Sequence, residues 1–221
     1  MRVLAFEDCL RTLRHFRVDP AEGSAIDVGG TKTVVLASPT GRSTLSRNPL
    51  LTACRDISFL DEGFNADRFG ATMDLQVDFL DPQEVARLEN KYDLVLSFDT
   101  LEHVSNPFLF CKHLLSIAKA GRYVYVSTVF NYVYHPSPKD FFRFSPEGLR
   151  QCFLDPAYAS TDPVTVLWAG WESDRNGVAA LACKAAYSGS LAEYNNPPAN
   201  LPWRIRARAF LTGLRGLVSS K

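Results

Sequence analysis

Metal and disulfide signatures are what this sequence most clearly lacks. Its five cysteines, Cys9, Cys54, Cys111, Cys152 and Cys183, are scattered, with no CxxC pair and no histidine at metal-ligand spacing. They read as buried free thiols, and no metal is expected. An excess of one charge is also missing, since 24 Lys and Arg balance 24 Asp and Glu. That balance excludes broad electrostatic capture of a polyanion, so no nucleic-acid partner is expected. No apolar run approaches the length of a membrane span. The opening MRVLAFEDCLRTLRHF is interrupted by Glu7, Asp8 and several arginines, so it lacks the apolar core of a secretory signal, and a cytoplasmic chain is expected. Internal repeats and long low-complexity segments are absent as well.

What is present is a chain of 221 residues, 46% hydrophobic, enough for one domain with a real core. Lys91 to Pro107 (KYDLVLSFDTLEHVSNP) carries most information. Leu94-Val95-Leu96 is a short apolar run suited to a parallel strand covered on both faces. In open α/β sheets the ligand crevice lies outside the carboxyl ends of such strands, which places Ser97, Phe98, Asp99, Glu102 and His103 around a site. Ser105 or Asn106 caps a following helix with Pro107 at its first position, and Gly121 ends it. Arg122 to Val129 is the next strand, and Asn131 to Phe144 the loop at its carboxyl end.

Elsewhere the pattern predicts an amphipathic helix over Leu4 to Phe16, covering one edge of the pocket, and strands at Ala25 to Val28, Ile57 to Leu60 and Leu75 to Val77. A helix is expected between the first two strands, although the Ser/Thr/Pro-rich stretch there has no helical period. Asp81-Pro82-Gln83-Glu84 reads as a capping box opening a helix through Leu88. Ser145-Pro146-Glu147 starts another through Cys152, and Val164 to Trp168 and Val178 to Cys183 form a terminal hairpin.

The middle of the chain resembles the class I S-adenosylmethionine-dependent methyltransferases of the type 11 kind. Asp93 to Ser97, Leu101 to Val104, Asn106-Pro107 and His135 to Leu149 carry the likeness, which runs from about Ala25 to Lys184. It implies an α/β, Rossmann-like fold with a mostly parallel seven-stranded sheet and a terminal antiparallel hairpin. It also implies S-adenosylmethionine as cofactor and methyl transfer to an oxygen or nitrogen of a small-molecule, glycan or lipid-linked acceptor. Asp27, Gly29 and Gly30 then hold the cofactor turn, Asp61 (with Glu62 as substitute) the ribose hydroxyls, Asp78 and Phe79 the adenine, and Phe98 the same pocket. Glu102, Asp140 and Arg143 are assigned to substrate, and His103 and His135 are the candidates for a general base. Asp140 also reads as a structural partner of Arg143.

The first turn departs from the family pattern: Thr31 and Thr33 stand where later glycines belong, which points to a reshaped or lost cofactor pocket. A catalytically silent binding or scaffold protein is the alternative on that ground. Asp27 to Thr33 followed by VVLASPTGR also resembles the phosphate-binding hairpin that opens the ROK-type sugar kinases, with Val34 to Ala37 as a return strand. Residues 1–190 are read as the methyltransferase-like domain and 191–221 as a linker plus basic amphipathic helix. That helix suits docking on the domain or a homodimer partner, or peripheral attachment to an anionic membrane.

Overall fold

A computed structural model describes residues 2–37, 43–64, 67, 70–136 and 138–186. The expected linker and basic helix of residues 191–221 lie outside the described residues, as does the Pro39-Thr40-Gly41 turn of the kinase reading.

The strands are β1 (Ser24–Val28), β2 (Thr33–Ala37), β3 (Ser43–Arg47), β4 (Asp56–Asp61), β5 (Leu75–Gln76), β6 (Tyr92–Phe98), β7 (Ala118–Val129), β8 (Thr165–Trp171) and β9 (Gly177–Cys183). Seven of them form one sheet in the order β5-β4-β1-β6-β7-β9-β8. β1 pairs in parallel with β4 and β6, and β7 joins β6 in the same sense. β9 then inserts antiparallel between β7 and β8, closing the sheet with a hairpin.

Every residue of β6 is buried, because helices cover both faces, and alternate side chains therefore serve two cores. One core gathers Ile26, Val95, Val124 and Val126 under the helices α3 (Pro82–Ala86), α4 (Pro107–Ile117) and α5 (Pro146–Leu154). The other joins Leu94, Leu96, Phe98 and Tyr125 to α1 (Val3–His15) and α2 (Leu50–Ala53). Full burial of each such leucine or valine contributes about 1.5–3 kcal/mol before entropy is set against it. α1 is fixed through Asp8, whose carboxylate accepts from the Ser173 N–H at 2.8 Å and its hydroxyl at 2.9 Å.

Helix starts follow the local sequence. Asn106 accepts from the Leu109 N–H, Ser145 from Gly148 and Asp81 from Gln83, each with Pro at the first helical position. Glu84 does not complete a reciprocal box with Asp81; its carboxylate accepts from the Asp78 N–H at 2.8 Å instead, and α3 stops at Ala86.

Two further expectations are corrected. α4 ends at Ile117, not at Gly121, which lies inside β7 with φ +76°. The buried Lys184 ammonium donates to the carbonyls of Ser116 at 3.3 Å and Ala118 at 2.9 Å, capping the helix end, while Ala118 pairs with Tyr92. The helix expected after β1 is an antiparallel β2–β3 hairpin followed by the single turn of α2. The kinase reading placed a strand at 34–37, but that strand pairs with β3, while β1 is flanked on both sides by parallel neighbours.

Candidate functional site

The carboxyl ends of β1, β4 and β6 frame a cavity of about 250 Å³. Val28, Leu60, Phe64, Phe79, Val104 and Phe110 make its apolar wall, and Gly29, Asp61, Glu62, Asp99, Thr100 and His103 its polar side, with Pro138 above. Phe79 meets Phe110 edge to face at 5.1 Å, and its carbonyl is held by His113 Nδ1 at 2.8 Å.

Gly29 adopts φ +84°, and its N–H donates to the Leu60 carbonyl at 2.7 Å. A Cβ there would lie 2.2 Å from the Thr100 hydroxyl, so close approach of the backbone to β6 requires glycine. A Cβ on Gly30 would meet the Asp27 carboxylate. Asp27 is buried behind that turn and does not line the cavity; Asn48 Nδ2 approaches it at 3.5 Å, and its Oδ1 has no hydrogen-bond partner among the described residues. Burial pushes its carboxyl up to about 7. The departing threonines are absorbed locally: the Thr31 hydroxyl donates to the Thr33 carbonyl, and Asn48 Nδ2 donates to the Thr31 carbonyl at 2.9 Å.

Asp61 is buried at the end of β4, and its Oδ1 accepts from the Gly63 N–H at 2.8 Å. Asp99 follows β6 in the left-handed region, φ +49°. Its carboxylate receives the Arg2 backbone N–H and Nε, both at 2.9 Å. Burial opposes this charge, but Arg2 holds the Asp99 carboxyl below its ordinary value. The residue before α1, Arg2, thus grips an acid of the cavity wall from behind, while α1 itself does not line the cavity.

Beside the cavity, Glu102, His103 and His135 come together. Glu102 sits in a 3-10 turn, Leu101–His103, with no exposed surface. Its Oε2 accepts from the Thr128 hydroxyl at 2.7 Å, whereas Oε1 has no hydrogen-bond partner among the described residues. His103 Nε2 stands 3.8 Å from that Oε1 and His135 Nε2 3.9 Å. Burial, then the Asp99 charge, raises the Glu102 carboxyl, and burial lowers the His103 imidazole. The Phe141 N–H donates to the Glu102 carbonyl at 2.7 Å, tying the 131–144 loop to the turn. Asp140 accepts the His135 N–H at 2.9 Å and is gripped by both terminal nitrogens of Arg143. Arg143 therefore holds Asp140 down to about 2, which agrees with the structural reading of that pair.

Several assigned residues lie elsewhere. Phe98 turns away from the cavity and packs on Tyr125 at 5.8 Å in the α1-side core. Ser97 is buried and donates to the Val28 carbonyl at 2.9 Å. Asp78 is exposed beyond the cavity wall and accepts from the Leu80 N–H at 2.9 Å. Sequence reasoning missed Phe64, Thr100 and Phe110 in the wall, together with Arg2 and Thr128, while Pro138 lies in the loop expected over the crevice. Phe110 lay in the helical stripe of α4, where periodicity could have found it; Arg2 and Thr128 carried no local signal.

A family model described as "Methyltransferase domain" matches residues 5–173, and no curated protein matches the chain. A Listeria monocytogenes protein described as an S-adenosylmethionine dependent methyltransferase aligns at 12% identity and TM-score 0.52, over 83% of this chain and 99% of its own. The 1,6-didemethyltoxoflavin-N1-methyltransferase of Burkholderia thailandensis, solved with S-adenosylhomocysteine, aligns at 12% identity and TM-score 0.51, over 83% and 79%. The (4+2)-cyclase SpnF aligns at 15% and 0.50, over 81% of each chain. At these identities the structural likenesses speak to fold alone. The sheet order, the carboxyl-end cavity and the match over residues 5–173 together place this chain in the methyltransferase-domain family, with the class I S-adenosylmethionine-dependent methyltransferase fold.

Proposed function

We propose that this chain is an S-adenosylmethionine-dependent methyltransferase acting on an oxygen or nitrogen of a small-molecule, glycan or lipid-linked acceptor. The cavity carries the reading, because it combines a buried carboxylate at the β4 end with a wall of facing aromatic rings beside a glycine turn. Those groups fit the cofactor: Asp61, with Glu62 at the mouth, would accept hydroxyl donors of a ribose, and Phe79 and Phe110 would contact the adenine ring. Gly29 and Asp99 would border its amino-acid end. Bound S-adenosylmethionine supplies an electrophilic methyl group on a sulfonium centre.

The protein's own contribution is alignment and handling of a proton. An acceptor hydroxyl has to lose its proton during attack, and the Glu102, His103 and His135 group offers the acceptors. His103 Nδ1 lies 2.9 Å from the Lys139 carbonyl. A carbonyl only accepts, so Nδ1 carries the proton and Nε2 presents a lone pair beside the cavity. The Asp140–Arg143 pair positions His135, and Pro136 and Pro138 stiffen the covering loop. The basic tail, with Arg204, Arg206, Arg208 and Arg215 and no acid from 201 to 221, supports the lipid-linked arm of this reading.

Calorimetric titration with S-adenosylhomocysteine, using ATP as control, tests the assignment. Saturable binding is expected, weakened about 10- to 100-fold by Asp61→Ala through loss of a charged hydrogen-bond acceptor, and far less by Asp78→Ala. A folded sample that binds neither ligand would instead support the silent scaffold suggested by Thr31 and Thr33.

A further inference from the structure

The Glu102, His103 and His135 group has a geometry that protons alone leave incomplete. One donor atom from each of Glu102, His103 and His135 lies within 4.8 Å of the other two. Both imidazole contacts to Glu102 Oε1, at 3.8 and 3.9 Å, are too long for hydrogen bonds. Oε1 is nevertheless fully buried and has no hydrogen-bond partner among the described residues, a costly state for a carboxylate oxygen.

The tautomers complete the picture. His103 Nδ1 faces the Lys139 carbonyl at 2.9 Å, and His135 Nδ1 faces the Val133 carbonyl at 3.0 Å and Asp140 Oδ2 at 3.1 Å. All three partners only accept, so each ring holds its proton on Nδ1 and keeps an Nε2 lone pair, 3.8 and 3.9 Å from Glu102 Oε1. Carbonyl or carboxylate contacts of this kind on the far nitrogen are how proteins orient metal-ligating imidazoles. An ion bound about 2.0–2.2 Å from each donor spans pairs up to about 4 Å apart, which covers both separations from Oε1, and the remaining pair, at most 4.8 Å apart, has to draw in by less than about 1 Å when the ion binds.

We propose that Glu102, His103 and His135 form a binding site for one divalent transition-metal ion. The set of two imidazoles and one carboxylate suits zinc and its first-row neighbours, and it satisfies the buried Oε1 that a single proton on either ring does not. Thr128 fixes the carboxylate from behind, and Asp140, pinned by Arg143, fixes His135. Three protein donors leave a position open on a tetrahedral ion, on the side where His103 borders the cavity. Resting on the proposed methyl transfer, an ion there would favour an oxygen acceptor, since it would acidify the hydroxyl in place of direct proton acceptance by His103 or His135.

The test uses the full chain, stripped with a chelator and titrated with zinc chloride by calorimetry, with cobalt(II) absorption as a second readout. One zinc per chain is expected, together with visible cobalt bands of a low-coordinate nitrogen and oxygen site. Glu102→Gln, which keeps the Thr128 contact, His103→Ala and His135→Ala should each weaken zinc at least about tenfold; His15→Ala, on α1, should not. Circular dichroism and thermal melting establish that each variant is folded. No stoichiometric binding, or binding indifferent to all three substitutions, overturns the site. S-adenosylhomocysteine titrated into the stripped protein reports on the methyltransferase reading separately, so that either conclusion can fail alone.

Discussion

Glu172 and Glu102 are both buried to zero exposure, and neighbouring residues of β7 reach them, Ser127 and Thr128. Successive residues of a strand point to opposite faces, so one strand supplies a hydroxyl to each carboxylate. The resemblance ends there. Glu172 is paired on its second oxygen with Arg2, which also bridges to Asp99 and Ser127. Glu102 keeps its second oxygen for two imidazoles at 3.8 and 3.9 Å. A buried carboxylate with every partner supplied from within holds the fold together, whereas one left half-matched is where an outside group or a moving proton finds a place.

The largest effect should come from breaking the finished network. Glu172→Ala leaves the Arg2 guanidinium short of a charge partner and is expected to destabilise the chain by about 3–5 kcal/mol in denaturant unfolding. Glu102→Gln, the gentler substitution on the other side, should change stability by less than about 1 kcal/mol, since the Thr128 contact remains. Equal losses at the two positions would dissolve the contrast. His135→Ala should lower methyl transfer about 100-fold with S-adenosylhomocysteine affinity preserved, measured by single-turnover transfer once an acceptor is found; loss of both together would make the histidine structural. Asp140→Ala removes the anchor of the covering loop and should cost about 1–2 kcal/mol, visible as faster proteolysis between residues 131 and 144.

A small effect concerns acid. Asp93, held by Lys119 at 2.7 Å, by Arg122 and by the Ser24 N–H, has its carboxyl lowered to about 2, with the Lys119 hydrogen bond the main cause. Between about pH 4 and 2 the unfolded chain takes up a proton that the folded chain refuses, so stability falls as pH drops through this window. The contribution is fully present above pH 4 and amounts to about 1 kcal/mol, given the exposed partners. A melting profile for Asp93→Asn that runs parallel to the parent through that window would remove the assignment.

Local chemistry was readable where it is self-contained. Asn106-Pro107, Ser145-Pro146 and Asp81-Pro82 announce helix starts because cap and first turn are neighbours in sequence. The end of α4 was not readable, since its cap is Lys184, which follows β9 and lies 66 residues beyond Ala118 in the chain. Phe98 was placed at the site because β6 is apolar throughout, and a strand buried on both faces gives no alternation from which to read direction. The β2–β3 hairpin replaced an expected helix where Ser, Thr and Pro offered no helical period.

By itself the sequence determined the α/β class, the parallel strand at Leu94 to Leu96 and the loop bearing Glu102 and His103, and it offered the pairing of Asp140 with Arg143 beside a substrate role. Each of these rests on hydrophobic pattern or on residues a few positions apart. Only the tertiary structure decided that His135 stands beside Glu102, that Arg2 closes on Asp99 and Glu172, and that one glutamate oxygen near two imidazoles has no hydrogen-bond partner among the described residues. Convergence of that kind depends on strand register and on which face a side chain takes, and those are settled by packing the whole sheet at once.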